Sequence, residues 1–230
     1  MVDQRSHFHQ ELEALEQSIH EIGDRAHGLI GKSVTALVEG NVALAAEVRE
    51  GDNVIDKMYL DVHNRWINLM ARQQPMGMDL RLMSVLLHMN VTLERTGDQC
   101  VNIAKLADLS RDLPRMERVA EQIVEMGDLV RPMLRTAIDA FVRRDADEAR
   151  LLPAMDEPVD RINKNMYREV VALGSDAKML EWATHMMMAA RALERIGDQA
   201  VDVGEQVVFL VTGEFHDFNE ESFGHGAAAH

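Results

Sequence analysis

Eight carboxylates of this chain fall into four pairs, each with a spacing of four residues: Asp52 with Asp56, Glu94 with Asp98, Asp156 with Asp160, and Glu194 with Asp198. A spacing of four stacks two side chains on one face of a helix, so each pair points one way. The glutamate pairs open near-identical phrases, ERTGDQCVNIA at 94–104 and ERIGDQAVDVG at 194–204. They face inward: Met83, Leu87, Asn90, Glu94, Asp98 and Asn102 follow on steps of three or four, as do Met186, Ala190, Glu194, Asp198 and Asp202. The acids therefore continue an apolar row, while Asp52 and Asp56 flank Ile55 and Tyr59 at the edge of another buried face.

Two helices of one bundle would bring four such carboxylates together where core meets solvent. Converging acids repel unless they are protonated, paired with bases or neutralised by a cation. Arg95 and Arg195 directly follow the glutamates, but about 100° round the helix, and reach them only from the flank. A bound cation is the stronger compensator. All-oxygen ligands favour hard ions: magnesium, manganese, calcium or iron. Gly97 and Gly197 fit the same picture, giving clearance for a close helix or ligand at up to about 1 kcal/mol of helix stability. The alternative is a duplicated structural feature in which an acid and Arg95 hold helix ends together.

The elements that position these acids read as helices. Leu12, Leu15, Ile19, Ile22, Ala26, Leu29, Ser33 and Leu37 alternate steps of three and four, which predicts one long amphipathic helix ending near Glu39-Gly40-Asn41. A second carries Ile55, Tyr59, Val62, Trp66 and Leu69 to about Arg72. Pro75 and Gly77 then make a link, and a third helix runs from near Asp79 to about Leu109. In LSRDLPRME, Asp112 or Ser110 is a candidate cap and Pro114 a first-turn residue for a fourth. The plan then repeats. GDRAHGLIGKSVTALVEG at 23 matches GDLVRPMLRTAIDAFVRR at 127, and DNVID at 52 matches DEPVD at 156, both at an offset of 104; the glutamate phrases match at 100. A four-residue loop shortening, where ALGSDAKML faces ARQQPMGMDL, accounts for the change. The expectation is an all-α chain of two tandem three-helix bundles, six long helices related by a pseudo-twofold duplication. The units are 7–109 and 113–213, with 214–230 a mobile tail whose histidines are read as solvated.

Composition narrows the function. Few aromatics and prolines with 16 methionines suit packed helices. A net charge of −15, from 39 acidic against 24 basic residues, opposes non-specific binding to nucleic acid or an anionic membrane and favours cations. A single cysteine, Cys100, allows no internal disulfide and points to a reducing compartment. The start MVDQRSHFHQELEALE lacks the apolar core of a secretion signal. The longest uncharged stretch, Leu82 to Leu93, is far below the roughly 20 residues of a membrane span. A soluble, cytoplasmic protein with no membrane insertion is expected.

The segments RQQPMGMDLRLMSVLLHMNVTLERTGDQCVNIAK and ALERIGDQAVDVGEQVVFLVTGE resemble the signature segments of the PhoU family, the phosphate-specific transport accessory proteins and regulators. The resemblance spans about residues 7 to 215, in both repeats and in order. It implies two three-helix bundles bearing multinuclear metal clusters, with iron or zinc, held by [ED]xxxD motifs. These fall on Asp52, Asp56, Glu94, Asp98, Asp156, Asp160, Glu194 and Asp198. Asn102 matches a family asparagine, and Asp202 departs from it; both are candidate outer ligands. The resemblance further implies a negative regulator of the phosphate-starvation response, linking the high-affinity phosphate transporter and its ATPase to a membrane sensor histidine kinase. Inorganic phosphate bound through metal is a hypothesis of this reading, and a homodimer is one option for the assembly.

The rival readings are a carboxylate-bridged dimetal enzyme and a metal-free helical adaptor. Bundle oxidases use Glu-x-x-His, a spacing absent here. The nearest, Asp24 with His27, loses its histidine in the second half, where Asp128 is followed by Arg131. Asp24 and Asp128 are kept as candidate outlying ligands, with solvated surface the plainer reading. No nucleotide loop or activated nucleophile is found, so no catalytic residue is assigned. Cys100, replaced by Ala200 in the other repeat, reads as a small core residue, and of Met186 to Met188 the expected exposed one is Met187.

Overall fold

In the computed structural model, which describes residues 2–171 and 176–218, the apolar rows become six long helices and no strand occurs among the described residues. They are α1 (Val2–Glu39), α2 (Val42–Gln73), α3 (Met78–Ser110), α4 (Glu117–Arg143), α6 (Leu152–Val171) and α7 (Ala177–Thr212), with a one-turn α5 (Ala146–Ala149) before α6. Gly40, at φ 63°, ends α1 in the left-handed conformation that a residue lacking Cβ adopts freely. Asn41 then caps α2, its side chain accepting the Leu44 N–H at 3.0 Å.

Two local expectations are corrected. The link at 111–116 is not capped by Ser110 or Asp112: α3 runs through Ser110, which is buried and bonded to His185 Nδ1 of α7 at 2.9 Å. Helix α4 starts three residues beyond Pro114, with Met116 at its cap position and no side-chain cap. The second-repeat counterpart of α2 is also not one helix. Helices α5 and α6 meet at a joint at Arg150 and Leu151, and Pro153, which has no N–H to offer the Ala149 carbonyl, falls in the first turn of α6. The shortened loop lies largely at 172–175, outside the described residues.

Helices α1, α2 and α3 pack on one another, and α4, α6 and α7 repeat the three pairings with a less extensively packed outer helix. The two sets join through α1 on α4 and α3 on α7, so those four helices are central while α2 and α6 lie outermost. The hydrophobic core is continuous across the join: Ile22, Leu86 and Ile103 of one repeat and Leu134, Ile138 and Val203 of the other belong to one buried cluster. The approach there is close. A Cβ on Gly23 would stand 2.5 Å from Ile138 Cδ1.

Within the expected tail, Phe215 and Phe218 make contacts with α7. Phe215 stacks on Phe209 with ring centroids 4.2 Å apart, and Phe218 is buried with its N–H donated to Glu205 Oε1 at 2.9 Å. The rest of that segment, 219–230, lies outside the described residues.

Candidate metal centre

Each acid pair of an outer helix meets a pair of a central helix, and a glycine lets them meet. Asp52 of α2 lies against α3 at Gly97, so closely that a Cβ there would stand 2.2 Å from Asp52 Oδ1. Asp156 of α6 is seated in the same way on Gly197 of α7, at 2.3 Å. Any other residue would push the carboxylate off its seat. Around it, burial grades outward: Asp52 and Glu194 are buried, at 8% and 7% exposure. Asp56, Glu94, Asp156 and Asp160 are half-buried, and Asp98 and Asp198 are exposed. Nearby, Asn90 of α3 ties the helices together by donating to the Tyr59 carbonyl of α2 at 3.1 Å.

The acids of each set feel one another. Burial pushes the Asp52 carboxyl up to about 6, reinforced by Asp56, Asp98 and Glu94 and opposed by Lys105. Burial also raises Glu94, with Asp98 and Asp56 adding to it. In the second set burial, then Asp198, Asp160 and Glu194, pushes Asp156 up to about 7. Burial likewise raises Glu194 and Asp198, with neighbouring acids adding and Arg191 and Arg195 opposing. In all five cases removal from water is the largest cause, so the sites disfavour their own charge.

Three buried oxygens in these sets, Asp52 Oδ1, Asp156 Oδ1 and Glu194 Oε2, have no hydrogen-bond partner. Buried polar atoms are otherwise almost always satisfied. Orphaned anionic oxygens facing other carboxylates match the donor chemistry of a hard cation. Among the described residues, however, no three His, Cys, Asp or Glu side chains are gathered in the spacing of a finished metal cage. The donor chemistry fits such an ion; a preformed cage is absent.

The outlying candidates are placed elsewhere. Asp24 is exposed and pairs with Arg135 of α4 at 2.6 Å and with His20 at 3.5 Å, a bond between α1 and α4 rather than a ligand position. Asp128 is exposed on α4. Asn102 is exposed on the wall of a groove, and Asp202 lines a smaller groove with Arg95. Burial and Asp198 raise the Asp202 carboxyl, while Arg95 opposes. Cys100 is fully buried, its thiol pushed up to about 12 by burial, as a core residue should be. Met187 is partly buried; the exposed methionine is Met188, at 55%.

The two glutamate phrases lie back to back. Thr96 Oγ1 donates to Gln199 Oε1 at 2.9 Å, and Arg95 faces Asp202, so α3 and α7 pass antiparallel with their acids turned to opposite outer helices. Two features escaped sequence reasoning. One is a groove of about 840 Å³ between α3, α6 and α7, where Lys105 and Arg195 stand beside Leu109, Tyr167 and Met188. Its walls come from three distant segments, and no local pattern announces it. The other is the pairing of Lys164 with Asp160 and Arg191 with Glu194, whose spacings of four and three were readable as helix-face ion pairs.

A duplicated three-helix bundle, with paired carboxylates where each outer helix crosses a central one, is the class of protein that this fold and site define. The PhoU domain model matches residues 19–107 and 123–207, one match per repeat. The chain belongs to the PhoU family. It is 35% identical over 207 residues to the phosphate-specific transport system accessory protein PhoU homolog of Pseudomonas putida, covering 90% of this chain and 81% of that one. The homolog from Clostridium acetobutylicum is 31% identical over 218 residues, covering 94% and 99%. The crystal structure of PhoU from Pseudomonas aeruginosa superposes with a TM-score of 0.85 at 32% identity, covering 90% of this chain and all of that one. That of the phosphate transport system regulatory protein PhoU from Streptococcus pneumoniae gives 0.81 at 28%, covering 91% and 99%.

Proposed function

We propose that this protein is a non-enzymatic regulatory accessory of phosphate transport that binds multivalent metal ions at its two carboxylate sites. It acts in the cytoplasm as a negative regulator of the phosphate-starvation response, coupling the transporter ATPase to a sensor histidine kinase. Family membership across both repeats supports the association with phosphate transport, because relatives of nearly full coverage are named accessory or regulatory proteins. No helix among the described residues is long and apolar enough to cross a membrane, as befits a protein that acts on membrane partners from outside the bilayer.

The single observation that carries the metal reading is the pair of glycine-seated aspartates, each with an oxygen that is buried and unpartnered. Asp52, Asp56, Glu94 and Asp98 would hold one centre and Asp156, Asp160, Glu194 and Asp198 the other. A bound iron, zinc, manganese or magnesium ion would neutralise the converging charge and offer an open position to a phosphate oxygen. The chain's own residues set the geometry: Gly97 and Gly197 admit the aspartates, and the exposed Asp98 and Asp198 leave each site open to solvent.

The test is metal analysis of protein purified without added metal, beside a variant with Asp52, Asp56, Glu94 and Asp98 all replaced by Ala. Loss of metal in the variant is expected; equal content would remove the first centre. Calorimetry with inorganic phosphate on the metal-loaded protein checks the phosphate step, and binding to the transporter ATPase and the kinase checks the coupling. A starvation-reporter strain lacking the protein should show the response derepressed.

A further inference from the structure

The duplication supplies an internal comparison, because each residue of one carboxylate site has a counterpart in the other. The four acids match, and so do the glycine seats. The surrounding cations do not. In the second site Lys164 Nζ stands 2.8 Å from Asp160 Oδ2, and an Arg191 Nη1 proton is donated to Glu194 Oε1. At the offsets of the two repeats, Lys164 corresponds to Leu60 and Arg191 to Val91. Neither can carry charge. Among the described residues, no ion pair or side-chain hydrogen bond reaches Asp52, Asp56, Glu94 or Asp98.

Both sites are more than acidic clusters. Asp52 is over nine-tenths buried with its unpartnered Oδ1 on the Gly97 seat, and Glu194 is over nine-tenths buried with Oε2 unpartnered. They differ in how much compensation is already present. An ammonium or guanidinium on a carboxylate occupies lone pairs that a metal would use, and it repels an arriving cation. Lys105 acts on Asp52 from a distance where the second repeat has Glu205, but none of the first site's four acids has a contacting partner; the second site has two of its four matched in place.

We infer that the two sites are unequal, the first (Asp52, Asp56, Glu94, Asp98) taking a divalent cation in preference to the second, where Lys164 and Arg191 hold part of the charge that a metal would supply. The inference rests on the reading that these sites bind metal, and adds which does so first and which residues set the order. Occupation is then graded: the first site fills at low cation concentration, and the second must displace two internal cations before it closes.

Titration of the metal-stripped full chain with Mn²⁺, followed by electron paramagnetic resonance and calorimetry, reads this directly. Two classes of site are expected, the tighter lost in D52N/E94Q and the weaker in D156N/E194Q. Exchanging residues between the repeats then tests cause. K164L/R191V should tighten the weaker class at least tenfold, and L60K/V91R should weaken the tighter class by a similar factor. The milder K164Q/R191Q, which keeps both exposed positions polar, should move in the same direction as K164L/R191V. Equal affinities that the exchanges leave unchanged, or a tighter second site, would overturn the inference while leaving the metal reading intact. Absence of Mn²⁺ from both sites would overturn the metal reading itself.

Discussion

At the scale of single residues, the site depends on an absent side chain. Alanine at position 97 would favour α3 by about 1 kcal/mol through helix propensity, yet its Cβ would fall 2.2 Å from Asp52 Oδ1. Gly97→Ala is therefore expected to keep the helix content and a near-normal melting temperature while losing first-site cation binding, as circular dichroism and a Mn²⁺ titration on the same sample would establish. The buried aspartates also give the metal-free protein a definite pH dependence. Their folded-state carboxyls titrate above the ordinary value, Asp52 at about 6 and Asp156 at about 7. Their contribution to stability is thus fully present below about pH 4 and lost as pH rises through 6 to 7. For Asp52 the loss is at most about 3 kcal/mol, from a shift of about two pH units. Thermal melts of the stripped protein between pH 5 and 8 should fall more steeply than those of D52N/D156N, and a saturating divalent cation should flatten the slope.

At the scale of elements, helix ends and breaks matter more than helix interiors. Asn41 stands between the Gly40 turn and α2, and its side chain satisfies the Leu44 N–H. Asn41→Ala should lower stability by about 1 kcal/mol, measured as a drop in urea midpoint at unchanged slope. The long helices were legible because their apolar residues recur every three or four positions, a signal that α1 and α3 carry over nine or ten turns. The ends were less legible. Ser110 has the chemistry of a cap, and its use inside the α3–α7 contact depends on His185, 75 residues away. The joint at Pro153 was visible as a proline, but the repeat suggested a continuous helix like α2. Prolines at 132 and 158 leave α4 and α6 continuous, so a proline alone did not mark the joint.

At the scale of the whole molecule, two repeats in sequence make one core in space. Central helices from both halves bury one another, so neither bundle has an outer surface fit for water on the side where they join. The expectation of two units was right about duplication, and the contacts between units were beyond the reach of periodicity, which says which face is apolar but not what covers it. A single cooperative unfolding transition is expected. The two tryptophans test it, since Trp66 lies on α2 and Trp182 on α7. Single-tryptophan variants W66F and W182F should give coincident urea curves; separated midpoints would mean two independent domains. The acid pairs were legible for the same reason as the repeat, because spacing and duplication are one-dimensional facts. Their seating on glycine was only half legible, because clearance was readable and its occupant was not. The joint between α5 and α6 carries a last consequence. Arg150 and Leu151 are exposed between the two helices, with the Ala149 carbonyl deprived of its helical donor by Pro153. Local opening there breaks few bonds, whereas the matching stretch of α2 is held in a continuous ladder. Trypsin under native conditions should therefore nick the chain first after Arg150, leaving Asp156 and Asp160 on a carboxy-terminal fragment that begins at Leu151, and the duplicated molecule has one stiff arm and one hinged arm.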